Sequence, residues 1–405
     1  MGSRGRRALI VVENAPVPQD RRVWQEALTL TRAGWEVVVL APADEDGRQA
    51  PRETVDGVEI VRFPLRPARR GAAGYAREYA QAMWRIWGAL RRLDRARPFD
   101  VIEACNPPDF LLLAALGRRR RGARLIFDHH DLFPELFREL FGGGIVGRGE
   151  PLVRLAERLA FRLADVSLAC NESFHRIAIT RGGMAPEDVF VVRNGPLLER
   201  FVPVPADPAL ARGRPHLLVY VGLMAPQDGL DRAIRALAAL HARREDWHAL
   251  FLGDGPVLPA LRRLSAELGI AEHVEFPGYR PKLEVRRAIC SADVCLAPDP
   301  PTPLTDASTL IKIAEYMALS RPTVSFDLTE SRITAGGAAV YARDGDPACF
   351  AALIDELLDD PARRARMGAE GRARVEAGLA WEHSEPALLA AYERALAKRR
   401  VAQRS

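Results

Sequence analysis

Lys312 and Glu315 stand three residues apart in the stretch TDASTLIKIAEYMALSRPTVSFD, residues 305–327. On a helix, two side chains at that spacing share one face. A lysine ammonium is a compact cation suited to a leaving phosphate, and a carboxylate accepts from both hydroxyls of a ribose. The amino end of a helix adds unpaired N–H groups and the positive end of a dipole. These parts together make a holder for a nucleoside diphosphate. The same spacing also fits a capped surface helix with an i,i+3 ion pair, so the rest of the chain must decide.

The elements that would position the pair read as loop, helix, turn and strand. Asp306, Ser308 and Thr309 are N-cap types ahead of a helical run. Ile311, Ala314, Met317 and Ala318 recur at helical spacing. Arg321-Pro322 ends the helix, and Thr323 to Phe326 has the β-branched and aromatic content of a buried strand.

Strands alternate with helices along most of the 405 residues. Strands are expected at 9–12, 36–40, 58–62, 101–105, 124–127 and 166–169. A helix over 75–95 is expected to carry Tyr79, Met83, Ile86, Trp87 and Leu90 along one side. The alternation pauses over 197–216, where four prolines read as a linker. It restarts with strands at 217–221, 249–252, 274–276, 294–297 and 323–326. This pattern predicts an α/β protein of two open, mostly parallel sheets, with ligands at the carboxyl ends of the strands. The length also favours two domains.

Composition narrows the setting. Hydrophobic residues make up 48% and charged residues 27%, ordinary for a globular protein. No run approaches the ~18 apolar residues of a membrane span. The apolar stretch Ala8 to Val12 is too short for a signal-peptide core and reads as a first strand. Five cysteines with no C-x-x-C spacing suggest neither a disulfide framework nor a zinc site, and a reducing cytoplasm is expected. Residues 1–200 hold 32 arginines, no lysine and 26 carboxylates, a net +6, whereas the remainder carries −1. A basic first half and a near-neutral second half suit two different ligands. The acidic runs Asp44-Glu45-Asp46 and Asp344-x-Asp346 read as solvated turns. The absence of a G-x-G-x-x-G after the first strand and of a P-loop argues against a dehydrogenase or P-loop enzyme.

Segments in order along nearly the whole chain resemble the retaining glycosyltransferases of family 4, including the bacterial polysaccharide and O-antigen type. They are PVPQDRRVWQEALTLTRAGWEVVVLAP, FDHHDLFPELF, VFVVRNGP, YVGLMAPQDGLDRAI, FLGDGP, VEFPGY, ADVCLAPDP, KIAEYMALSRPTVSFD and WEHSEPALLAAYERAL. The resemblance implies the GT-B fold, two Rossmann-like doubly wound domains facing a central cleft. It implies an acceptor-binding domain over 1–197, a donor-binding domain over 198–384, and a final helix, 385–405, packing back on the first.

By that resemblance Glu315 holds the ribose and Lys312 the diphosphate. Ser308, Thr309 and Leu310 offer backbone N–H groups to phosphate. Gly222 lines the donor site, and Gly278, Tyr279 and Arg280 border the base. His130 is the cleft histidine near the transferred sugar, with Asp131 placed to fix its tautomer, while His129 is expected to be a satisfied polar residue. Asp20, Arg21, Asn106 and Asp131 fall on the acceptor side. Two departures matter. Ala307 stands where the family has a glutamate, and Leu223 and Asp228 stand where it has an arginine and a lysine for the diphosphate. Lys312 and Arg332 are therefore expected to carry more of the leaving-group charge.

The expected reaction moves a sugar from a nucleotide-diphosphate sugar, most commonly a UDP-sugar, to an acceptor hydroxyl. It would serve cell-surface polysaccharide or glycolipid assembly and use no metal or cofactor. A sugar-nucleotide 2-epimerase and a non-catalytic sugar-nucleotide-binding subunit remain alternatives. The expected partners are the donor and a lipid-linked or glycan acceptor at the membrane surface, with no nucleic acid. The expected location is cytoplasmic, or peripheral on the inner face of the cytoplasmic membrane. Glu103 and Glu135 are spare carboxylates near strand ends.

Overall fold

The computed structural model of the chain describes residues 5–44, 49–65, 71–142 and 146–402. Two of the polar residues read above as solvated turns, Glu45 and Asp46, lie outside them. The chain divides into two compact units, Met1–Arg193 with Ser384–Ser405, and Asn194–His383.

The first unit is built from β1 (Arg7–Val11), α1 (Arg21–Arg32), β2 (Glu36–Pro42), β3 (Arg52–Val55), β4 (Val58–Phe63), α2 (Ala72–Ala96), β5 (Val101–Cys105), α3 (Leu116–Arg119), β6 (Arg124–His129), α4 (Phe133–Phe141), α5 (Glu150–Leu163), β7 (Val166–Ala169), α6 (Glu172–Thr180) and β8 (Val189–Val191). Its sheet runs β3-β4-β2-β1-β5-β6-β7-β8 and is parallel except for β3. Every residue of β1 and β5 is buried, which is why these strands read as continuous rather than alternating apolar runs. The strand order reverses between β1 and β5, so the crevice at their carboxyl ends is this unit's switch point.

Strand β3 is a departure from the sequence reading, which left 52–55 unassigned. It pairs antiparallel with β4 through Asp56-Gly57, both at positive φ (49° and 83°). An Asp-Gly pair is what a tight hairpin of that kind requires, so the signal was present in the sequence. On α2, Ile86 and Leu90 are buried, while Trp87, expected along the same side, is half exposed and Trp84 faces solvent.

The second unit holds β9 (His216–Val221), α7 (Leu230–His241), β10 (Trp247–Leu252), α8 (Leu258–Glu267), β11 (Val274–Gly278), α9 (Lys282–Ser291), β12 (Val294–Ala297), α10 (Pro303–Ala307), α11 (Ile311–Ala318), β13 (Thr323–Phe326), α12 (Thr329–Ala335), β14 (Ala339–Ala342), α13 (Pro347–Asp359) and α14 (Pro361–Arg374). The sheet is all parallel, in the order β11-β10-β9-β12-β13-β14, and its switch point lies between β9 and β12. One core packs Tyr220, Trp247, Phe251, Phe326 and Phe350 between this sheet and α7, α8 and α13. β14 was not anticipated, because AVYA is too short to stand out by pattern.

A last helix, α15 (Trp381–Ala402), joins the first unit from Ser384 onward. Its Tyr392 ring stands edge-on to Trp35, centroids 5.1 Å apart, and Arg394 and Lys398 reach Asp188.

Candidate functional site

In the second unit the residues that matter gather at the carboxyl ends of β9 and β12. Lys312, one residue inside the amino end of α11, directs Nζ to both carboxylate oxygens of Asp299, at 2.8 and 2.9 Å. Asp299 follows β12 and is buried. The ammonium also lies 5.1 Å from the Tyr220 ring centroid, a cation–π arrangement on β9. Tyr220 in turn donates its hydroxyl to the Leu223 carbonyl, and Asp228 accepts from Ala225 N–H at 2.9 Å. These bonds shape the loop after β9. Burial raises the Asp228 carboxyl above its usual range, and Lys312 pulls it the other way.

Close packing of backbone fixes this corner. Gly253 has φ 140°, and a Cβ there would sit 1.8 Å from the Gly222 carbonyl. Gly229, at φ 65°, lets its loop lie on the Pro298 carbonyl, which a Cβ would meet at 2.2 Å. No larger residue allows the loops after β9, β10 and β12 to approach this closely. Tyr316 on α11 accepts from Val221 N–H at 2.9 Å, tying the helix to the end of β9. Glu315 is buried one turn along from Lys312.

In the first unit a hydrogen-bonded chain runs inward from His130, which follows β6. His130 Nδ1 lies 2.7 Å from Asp128 Oδ2. Arg22, on α1, clasps Asp128 through Nη2 at 2.6 Å and Nε at 2.9 Å, and donates Nη1–H to the Val192 carbonyl. Glu26, one turn on, stands 3.2 Å from Arg22 Nε. Tyr392 donates to Glu103 Oε2 at 2.7 Å. Burial alone would raise the Asp128 carboxyl, but Arg22 and His130 outweigh it and hold it well below the usual range. Burial alone would lower the His130 imidazole, and Asp128 outweighs it in the other direction. Burial, then Asp128, pushes Glu103 up to about 7, and burial raises the Glu26 carboxyl as well.

Ligand atoms of Glu26, Glu103, Cys105 and Asp128 lie within 4.8 Å of one another, a grouping with metal-site dimensions. Arg22 already occupies its charged side. Asn106 closes the crevice. Its Oδ1 accepts from the N–H groups of His130 and Asp131, and its Nδ2 donates to Asp109 and to the Asp131 carbonyl.

Residues 19–195 match the family described as "Glycosyl transferase 4-like domain", and residues 215–360 match "Glycosyl transferases group 1". D-inositol 3-phosphate glycosyltransferase 1 of Catenulispora acidiphila is 30% identical over 85% of this chain and 82% of its own length. This chain belongs to the group 1 glycosyltransferases.

It is an enzyme of the GT-B architecture. Among solved structures, this glycosyltransferase is similar to sucrose-phosphate synthase from Thermosynechococcus elongatus, with a TM-score of 0.74 at 17% identity, covering 99% of this chain and all of that one. A Corynebacterium glutamicum protein named GDP-mannose-dependent monoacylated alpha-(1-6)-phosphatidylinositol monomannoside mannosyltransferase is 33% identical over 39% of this chain and 42% of its own.

Several expectations about this glycosyltransferase need correction. Lys312 pairs with Asp299, a partner the sequence reading did not anticipate. The helix is two helices, and Leu310, not Ser308 or Thr309, is the N-cap of the second. Ser308 ends the first, its N–H on the Thr305 carbonyl and its hydroxyl on Leu304. That N–H is therefore not open to phosphate. Asp306 accepts from Thr329 instead of capping α11. Asp128, not Asp131, orients His130, because alternation along β6 turns Asp128 and His130 to the same side. His129 is not satisfied: it lies among Phe127, Phe161 and Phe174, 3.7 Å from Glu157, with neither ring nitrogen hydrogen-bonded among the described residues.

Other predicted residues fall as follows in the transferase. Arg332, exposed, lies over the Tyr341 ring and bonds half-buried Asp327 at 2.8 Å. Tyr279 and Arg280 are exposed beyond Gly278. Leu223 is exposed where the family places an arginine. Asp20 caps α1 by accepting from Val23 N–H, and Arg21 begins that helix exposed. Glu103 is spent on Tyr392, and Glu135 on Arg181. Sequence reasoning missed Asp299, Asp128 and Arg22. The alternation D-x-H in FDHHD pointed to Asp128, but nothing local marked Asp299, which lies 13 residues from Lys312.

Proposed function

We propose that this glycosyltransferase takes a sugar from a nucleotide-diphosphate sugar and passes it to an acceptor hydroxyl with retention of the anomeric configuration. The reading rests on one observation above all: Lys312 projects at the switch point between β9 and β12, with Glu315 one turn behind it. Brought near a diphosphate, that ammonium stabilises charge as the leaving group departs. Glu315 takes the ribose hydroxyls. Arg332 supplies a further cation, and by the family resemblance His130, set by Asp128, acts on the transferred sugar. Donor phosphate itself receives the acceptor proton, and no metal takes part.

UDP is the proposed nucleotide. The Corynebacterium relative's name specifies GDP-mannose, so both belong in any donor test. The relatives' names specify an inositol phosphate and a phosphatidylinositol mannoside as acceptors. A polyol or its lipid-linked form, used in cell-surface glycan or glycolipid assembly, is the acceptor class this supports. The enzyme would then work on the cytoplasmic side of a membrane as a peripheral protein. No described helix is long and apolar enough to cross one.

The test is a panel of UDP- and GDP-sugars, scored by nucleoside diphosphate release with soluble and lipid-linked acceptors. Acceptor-dependent release and an axial-to-axial or equatorial-to-equatorial product support the proposal. Donor conversion without acceptor and without release points to a 2-epimerase. Donor binding with no turnover by any acceptor points to a binding subunit.

A further inference from the structure

Two helices of the first unit turn bulky apolar side chains outward. On α5, Leu152, Leu155 and Leu159 are 71%, 60% and 39% exposed. Their spacing puts them on one stripe, while Glu157, Ala160 and Phe161 occupy the buried side. Arg158 and Arg162 edge the stripe and are exposed. On α2, Trp84 is 71% and Trp87 46% exposed, and Arg91 lies over the Trp87 ring at 5.2 Å. A helix placed only to cover its sheet would turn leucine inward and leave polar groups outside.

The two stripes belong to one side of the unit. Helix α2 connects β4 to β5, and α5 lies on the connection from β6 to β7. Both cross the sheet in the same direction, opposite to the β1–α1–β2 step, so right-handed crossovers place both on the face away from α1. Both pack on the same 3-10 segment, Asp109–Ala115. Helix α4 adjoins α2 through Tyr75–Phe141 and Tyr79–Phe133 ring contacts, and adds exposed Leu140.

The carboxylates on α5 are already engaged, Glu150 by Arg138 and Arg154, Glu157 by Arg181. On α2, Asp94 is buried on Arg118. On α4, Glu135 is held by Arg181, so Glu78 and Glu139 complete the acids of the three helices, against Arg77, Arg85, Arg91, Arg92, Arg95, Arg158 and Arg162. The outer face is therefore apolar and cationic together.

We propose that this face docks on an anionic lipid bilayer, with Leu152, Leu155, Leu159, Trp84 and Trp87 entering the headgroup region and the arginines meeting lipid phosphates. Tryptophan and arginine suit that interface, one by its amphipathic ring and the other by its long stem and charge. A second copy of the chain is a poorer occupant, because a two-fold contact would set these arginines against themselves. The proposal deepens the membrane-surface reading above and rests on it for its purpose, but not for its measurement.

The experiment is flotation of the full chain with neutral phosphatidylcholine vesicles and with vesicles about one-third phosphatidylglycerol. The wild type should partition onto anionic vesicles at least tenfold better than onto neutral ones. L152Q/L155Q and W84Q should each weaken that binding severalfold or more, while nucleotide release with a soluble acceptor stays at the wild-type level. These side chains are exposed, so folding should be kept. No vesicle binding, equal binding to both compositions, or wild-type binding by both variants overturns the proposal. So does concentration-dependent dimerisation abolished by L152Q/L155Q, which would assign the stripe to a second copy. Vesicle binding with no donor turnover on any acceptor would instead leave the docking face standing and remove the transfer reading.

Discussion

Lys312 reaches the phosphate end of the proposed donor site already paired, both oxygens of buried Asp299 lying within 2.9 Å of its Nζ. Asp228 is a second carboxylate whose ionisation Lys312 influences. In the proposed donor site a diphosphate would share the ammonium with Asp299, which would then hold the cation in place and also limit how tightly it grips product.

Asp299→Asn separates those two effects. The amide oxygen still accepts from Nζ, while the competing charge is gone. Nucleoside diphosphate should bind roughly tenfold tighter, the scale of one moderate charge interaction, and product release should slow. Calorimetric titration with UDP and GDP checks this. Unchanged or weaker binding would mean that Asp299 does not compete with phosphate.

Lys312→Ala should lower turnover by about a hundredfold or more, since it removes a cation directed at charge that grows in the transition state. It also strands the buried Asp299 carboxylate, so stability should fall. The double variant K312A/D299N should recover stability without recovering turnover. Glu315→Gln should mainly raise KM for the donor, because ribose contacts are made in ground and transition states alike. Steady-state kinetics with thermal melts separate the outcomes. Near-native turnover by Lys312→Ala at saturating donor would place the donor site elsewhere.

The Asp128–His130 pair predicts a pH window. Asp128 is depressed, so its contribution is present above its unfolded value near 3.8 and is lost as pH falls through the lower folded value. His130 is raised, so its contribution is complete below 6.5 and is lost as pH rises through the higher folded value. Stabilisation by the pair is therefore fullest between about pH 4 and 6.5. In Asp128→Asn the histidine should titrate at lower pH than in wild type, as burial and Arg22 are then opposed by Asp131 alone. Nuclear magnetic resonance of the imidazole protons measures both. An unmoved His130 titration would remove Asp128 as its positioning residue.

Glu103 gives the opposite slope from a carboxylate in an ion pair. It titrates near 4.5 unfolded and about 7 folded, so the folded state holds the extra proton and stability falls as pH rises between those values. Glu103→Gln keeps an acceptor for Tyr392 and cannot ionise. It should raise Tm by about 3 °C or more at pH 8 and change it little at pH 4.5. A Tm gain independent of pH would show that Glu103 stays protonated or ionised throughout.

Much of the fold was written locally. The runs VIEAC, VSLA, VCLA and TVSF are buried strands with the boundaries their composition suggests, because parallel strands covered on both faces need unbroken apolar sequence. Lys312 and Glu315 share a helix face for the same local reason, the period of the α-helix. The sequence also held the Asp-Gly hairpin and the D-x-H alternation. What it did not hold was the partner of each functional side chain. Asp299 meets Lys312 because the connection leaving β12 folds back so that α11 faces the carboxyl end of that strand, Tyr220 joins them because β9 lies beside β12, and Arg22 meets Asp128 because α1 packs beside the strands that β6 joins. Tyr392 reaches Glu103 from 289 residues away. Whether the leucines of α5 and the tryptophans of α2 lay in the core or in solvent was likewise undecided by periodicity. An apolar stripe looks the same whichever way it faces, and only the packing of the whole layer turns it outward.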